Sequence, residues 1–112
     1  MKRKVAIPIE NGIMTGHFGH AKLFALIEMD GEQVVKEETL VPPPHDVGVL
    51  PAWLGSLGAT DIVSGGMGQR AIQLFLNNNI NVFVGVALKP ARDIAIDLVN
   101  NRLEKGANYC DH

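Results

Sequence analysis

The chain has 112 residues, 46% of them hydrophobic and 20% charged, with a formal net charge of -2. This fits one globular domain over 1–112 and removes the basic footprint of a nucleic-acid binder, since Lys2-Arg3-Lys4 is the densest cationic cluster. No apolar run approaches the roughly 20 residues that cross a bilayer, and the segment after Met1-Lys2-Arg3 is too short for a signal-peptide core, so a cytoplasmic location is expected. The single cysteine, Cys110, excludes an internal disulfide and a four-thiolate iron–sulfur site built by this chain alone.

Val5-Ala6-Ile7-Pro8-Ile9 reads as a strand buried on both faces, with regular pairing expected to stop near Pro8, which has no N–H to donate. Glu10-Asn11-Gly12 punctuates it. Leu23 to Met29 and Val34 to Leu40 form two strand-like runs around Asp30-Gly31, a hairpin turn pair, and the charges Lys36, Glu37 and Glu38 mark the second run as an edge strand. Pro42-Pro43-Pro44 stiffens the approach to His45 and to Asp46, a candidate helix cap.

Leu50, Trp53, Leu54 and Leu57 share one face of a helix over Val49 to Leu57 that Gly58 stops, with Trp53 expected in the core. Asp61-Ile62-Val63-Ser64, a glycine turn, a helix with Ile72, Phe75 and Leu76 on its inner face, and the strand Asn81 to Val86 make a βαβ unit of about 26 residues. Pro90 at the first position opens a third helix with Ile94, Ala95, Leu98 and Val99 inward and Asp93 and Asp97 outward. From about 104 to 112 the pattern dissolves into a tail expected to be mobile. The architecture is α/β, a mixed sheet of about five strands covered by helices.

Two stretches carry chemistry. Met14-Thr15-Gly16-His17-Phe18-Gly19-His20 concentrates imidazole and thioether, groups that bind soft and borderline metals, between glycines and after the first strand. A solvated turn is the plain alternative. Gly65-Gly66-Met67-Gly68 joins a strand to a helix and aims backbone N–H groups and a helix dipole at one point, an anion site without charged side chains. It lacks the lysine of a P-loop and the dinucleotide fingerprint, and close strand–helix packing would account for the glycines equally well. Both stretches follow strands at what should be one edge of a parallel pair. His45 could close such a site and Arg70 could add charge. Cys110 and His112 are sound metal ligands in the tail, but two ligands do not complete a tetrahedral site. No nucleophile elbow is present, and Glu10, Asp46 and Asp61, near the predicted edge, are scattered rather than paired, which leaves catalysis unsupported.

His17-Phe18-Gly19-His20-Ala21 after an apolar first strand, Gly58-Ala59 before a strand, and Gly65-Gly66-Met67-Gly68-Gln69-Arg70-Ala71 before a helix resemble the dinitrogenase iron–molybdenum cofactor family. That family includes NifX-like carriers, the C-terminal part of NifB and small stand-alone relatives. The resemblance covers essentially the whole chain, and relatives ending in Cys-x-His, here Cys110 to His112, look closest. It implies a three-layer ribonuclease H-like fold without nuclease activity, and binding of metal–sulfur clusters or their precursors. The expected cargo is an iron-, molybdenum- or copper-containing sulfide cluster, held transiently and without catalysis, with Met14, His17, His20, His45 and Gly65 to Gly68 as binding residues. Metal contacts fall to His17, His20, His45, Cys110 and His112. Expected partners are the cluster and its donor or acceptor protein, with no nucleic acid and no membrane, for a monomer or homodimer. The competing expectation is a small regulatory or interaction module that binds a simple anion at Gly65 to Gly68.

Overall fold

A computed structural model describes residues 2–15, 21–44 and 48–103. Its elements run β1 (Lys2–Glu10), β2 (Ile13–Met14), β3 (Leu23–Asp30), β4 (Gln33–Leu40), α1 (Val49–Ser56), β5 (Asp61–Val63), α2 (Gln69–Asn77), β6 (Asn81–Phe83) and α3 (Ala91–Val99). The sheet order is β4-β3-β1-β5-β6, with β2 paired to β1 off that path. β1 runs antiparallel to β3 and parallel to β5, which runs parallel to β6. β4, antiparallel to β3, therefore shares the direction of β1, β5 and β6, so four strands end at one edge of the sheet.

Alternation along the long strands divides the apolar residues between two cores. Val5, Ile7, Ile9, Ala25, Ile27 and Met29 face Ile94, Ala95 and Leu98 of α3. Ala6, Phe24, Leu26 and Ile62 face Leu50 and Leu54 of α1 and Phe75 of α2. Three layers result. Trp53 belongs to the second core as expected, its ring edge-on to Phe24 at 6.0 Å. Leu76 does not: it is 49% exposed, because α2 buries a narrow stripe centred on Phe75.

Pro8 does not end β1, which stays paired to β3 through Ile9↔Leu23. The Pro8 carbonyl accepts from Thr15 N–H at 2.9 Å on the side away from β3, so the missing Pro8 N–H also faces that side. There the β5 ladder stops at Ala6↔Ile62 and the β2 ladder begins at Ile9↔Met14, leaving proline at the changeover, where it accepts from Thr15 but has no N–H to return. The β1–β2 hairpin turns on Asn11-Gly12 with φ of 55° and 80°, the left-handed pair that Asn-Gly favours. The β3–β4 turn centres on Gly31 and Glu32, between the paired Asp30 and Gln33, rather than on Asp30-Gly31. The strand expected over Asn81 to Val86 stops at Phe83, and Gly85 takes a φ of 70°.

All three helices end alike. At α1, Gly58 (φ 83°) donates its N–H to Gly55 O and Ala59 to Leu54 O. Asn79 and Ile80 repeat the pattern on Leu76 and Phe75, and Asn101 and Arg102 repeat it on Leu98 and Asp97. Each is a Schellman motif that satisfies the last carbonyls. Lys4 Nζ adds a bond to Leu57 O at 3.1 Å, which places the C-terminus of α1 beside the start of β1. The helices thus finish at the amino edge of the parallel strands and begin toward the carboxyl edge.

Asp61 lies at the amino edge, not near the ligand edge expected from sequence. It is fully buried and ties three strands: Arg3 donates Nη2 to Oδ1 (3.0 Å) and Nε to Oδ2 (3.2 Å), Asn81 donates Nδ2 to Oδ1 (3.0 Å), and Thr60 Oγ1 lies 2.6 Å from Oδ2. Every lone pair facing the protein has a donor. In Asp61→Asn, one carboxylate oxygen becomes an NH2 facing an Arg3 donor. Chemical unfolding should show a loss of about 2–3 kcal/mol, below the largest values for buried pairs because Arg3 keeps 31% exposure. An unchanged midpoint would mean the bidentate pair contributes nothing net.

Candidate functional site

The carboxyl edge carries the glycine turn and the described flanks of the histidine stretch, Thr15 and Ala21. β2 leads into 16–20 from one side, and β5 leads into the glycine turn and α2 on the other. Met14 and Ala21, the buried residues on either side of 16–20, are anchored in opposite cores, Met14 with α3 and Ala21 with α1 and α2. A pocket of about 190 Å³ opens beside these anchors, lined by Glu10, Asn11, Thr15, Ala21, Lys22 and their neighbours Ile9 and Leu23.

The glycine turn is built by the serine that precedes it, which the glycine pattern alone does not single out. Ser64 is fully buried; its Oγ donates to Gly66 O at 2.9 Å and accepts the Gly66 N–H at 3.3 Å. Ser64 N–H and Gly85 N–H bind Phe83 O and Gly65 O at 2.9 and 3.1 Å, extending the β5–β6 pairing by backbone bonds alone. The expected fan of open amides is therefore reduced: Gly66 N–H is spent inside the turn. Ser64 directly before the glycines was the available signal, as serine commonly bonds backbone two residues on.

α2 then starts from Gly68 in an extended conformation (φ -68°, ψ 154°), with no side-chain cap and no acidic residue in its first turn. Among the described residues no acceptor meets the Gly68 N–H, and a Cβ built on Gly68 would touch nothing within 4 Å. α1, in the same layer, also starts from a glycine, Gly48, with no side-chain cap and no acidic first turn. Two helix N-termini, each carrying about half a positive charge, therefore lie toward one edge with no acidic residue in either first turn. α3 differs: Pro90 is its N-cap rather than its first helical residue, Asp93 sits in its first turn, and Ala91 N–H is taken by Gly12 O at 3.3 Å.

The remaining expectations divide by burial. Met14 is 1% exposed and packed in the α3-side core, so its thioether serves as an anchor and is not presented at the edge as a soft ligand. Met67, also 1% exposed, anchors the glycine turn in the other core. Arg70 is exposed on the first turn of α2. His17, His20, His45, Cys110 and His112, the whole proposed metal set, lie outside the described residues, as do Asp46 and the tail from 104. Among the described residues no three His, Cys, Asp or Glu side chains come together as a metal group, and no helix is long and apolar enough to cross a membrane.

The chain is a small three-layer α/β domain with a glycine turn and two helix starts without side-chain caps on the carboxyl edge of its sheet, the edge at which open α/β sheets take ligands. The sequence profile described as dinitrogenase iron–molybdenum cofactor matches residues 1–101, and the chain belongs to that family. It is 28% identical to an uncharacterized protein of Methanocaldococcus jannaschii over 85 residues, covering 71% of this chain and 72% of that one. The crystal structure of PH0822 superposes with a TM-score of 0.83 at 30% identity, covering 94% of each chain. The apo form of the orange protein from Desulfovibrio gigas superposes at 0.75 and 18% identity, covering 95% of this chain and 94% of that one, a likeness of fold.

Ser64→Ala strands a buried N–H and C=O at Gly66 and should cost about 1–3 kcal/mol in chemical unfolding. Stability within experimental error of the parent would show that the turn holds without its hydroxyl.

Proposed function

We propose that the protein binds and carries, without catalysing a reaction, a preassembled metal–sulfide cluster or its anionic precursor, in keeping with its family's association with the iron–molybdenum cofactor. The observation that carries the reading is the pair of glycine-started helices without side-chain caps, α1 and α2, which begin toward the edge where the glycine turn leaves the sheet. A sulfide cluster arrives with its own bridging ligands and a net negative charge. It needs amide donors and positive helix ends more than a set of thiolates, which suits a chain with one cysteine. In this reading His17 and His20 supply borderline ligation from one side, His45 closes the site, Gly68 and the helix starts receive the anionic face, and Cys110 and His112 can join from the tail. The natural partners are a donor and an acceptor of the cluster, in the cytoplasm.

Anaerobically purified protein should take up tetrathiomolybdate or a related iron, molybdenum or copper sulfide, with a visible absorption band and a fixed metal stoichiometry. His17→Ala and His20→Ala should load less than the parent; equal loading would remove the histidines from the site.

Gly68→Ala is the sharper probe of the backbone contact. Its φ is negative and its Cβ has open space, so unfolding stability should stay within about 0.5 kcal/mol of the parent. A ligand seated against the Gly68 backbone would meet the new methyl, and uptake should fall severalfold; undiminished uptake would place the cargo elsewhere.

The open Gly68 amide also favours a second reading, a module that binds a simple anion. It predicts phosphate or sulfate binding that Gly68→Ala weakens and that carries no metal.

A further inference from the structure

Asparagines among the described residues fall into two sets. Asn77, Asn78, Asn81 and Asn100 each have a side-chain hydrogen bond, to Gln73 Nε2, Leu74 O, Asp61 Oδ1 and Ile96 O respectively. Asn11, Asn79 and Asn101 instead occupy left-handed backbone at φ 55°, 61° and 57°. For the last two, the next N–H is committed: Ile80 donates to Phe75 O at 3.0 Å and Arg102 to Asp97 O at 2.7 Å. Both following residues also carry bulky side chains. Asn11 is followed by glycine, both residues are exposed, the Gly12 N–H meets no acceptor among the described residues, and a Cβ at Gly12 would have nothing within 4 Å.

We propose that Asn11-Gly12 is a spontaneous deamidation site that acts as a one-way timer on the ligand edge. The Gly12 nitrogen attacks Asn11 Cγ; the N–Cγ bond forms, the Cγ–Nδ2 bond breaks, and ammonia leaves with the proton that Gly12 gave up. Water then opens the succinimide at either carbonyl, leaving aspartate or isoaspartate at position 11. No oxidant, reductant or enzyme is required.

Placement gives the reaction its consequence. Asn11 lines the pocket shared with Thr15, Ala21 and Lys22, so either product adds a negative charge at its rim. The isoaspartyl product also lengthens the backbone within a hairpin held by Glu10↔Ile13 pairing and by the bond from Ala91 N–H to Gly12 O. The effect on ligand rests on the anionic-cargo reading above, since an added carboxylate repels an anion. Aspartate tolerates left-handed backbone, so N11D should fold and report the charge alone.

The intact protein, aged in mildly alkaline metal-free buffer, would be followed by mass and peptide mapping, with isoaspartate detected by enzymatic methylation. A gain close to one mass unit should appear first in the peptide holding Asn11, and N11Q should gain mass severalfold more slowly. Tetrathiomolybdate affinity should fall severalfold with the modified fraction, and fresh N11D should show a comparable loss. Conversion at Asn79 or Asn101 before Asn11, or an intact position 11 after prolonged ageing, overturns the site. Conversion with unchanged affinity overturns the timer. Conversion in a protein that never binds tetrathiomolybdate sinks the cargo reading and leaves the modification standing.

Discussion

The geometry of the ligand edge depends on a change of partner along β1. Over Val5 and Ala6 this strand is bonded on one side by parallel β5; over Ile9 and Glu10 the same side is bonded by antiparallel β2. Pro8 marks the changeover, accepting from Thr15 on the β2 side but returning no N–H to it. The switch lets two chain segments leave the sheet side by side, one through the glycine turn and one toward the histidines. A residue with an N–H at position 8 would be free to extend one ladder at the expense of the other. Proline in a central strand is thus a consequence of the split and helps to maintain it.

The two edges of the sheet are finished in opposite ways. At the amino edge every helix closes with a Schellman motif, and Asp61 gathers donors from Arg3, Thr60 and Asn81, so polar groups there are satisfied within the chain. At the other edge α1 and α2 begin from glycines with no side-chain caps. Capping residues at those positions would stabilise each helix by about 1 kcal/mol and would also occupy the amides. The fold forgoes that stabilisation where an anion would use the same groups.

Much of this was legible in the sequence because it is local. The periodicity of Leu50, Trp53 and Leu54 and the stop at Gly58 placed α1, and the glycine run placed the strand-to-helix turn. What was missed depends on contacts distant in sequence or on elements too short to show a pattern. β2 has two residues, so no alternation announced it, although Asn11-Gly12 before Ile13 was a readable turn. Asp61 looked like a candidate for the ligand edge until Arg3, 58 residues away, claimed it. Met14 resembled a ligand by composition, but its burial follows from pairing with Ile9 across the hairpin, and Ser64 removed one amide that the glycine motif seemed to offer. The histidines were conspicuous as a pattern, and their geometry lies outside the described residues.

The anchoring of Met14 and Ala21 in opposite cores has an evolutionary corollary. The segment between them is attached at both ends by residues whose burial does not depend on what the intervening side chains bind. Changing a side chain within 16–20 would leave the apolar contacts of Met14 and Ala21 in place. The sequence of that stretch and the stability of the fold can then drift separately, so one scaffold can accept different residues there.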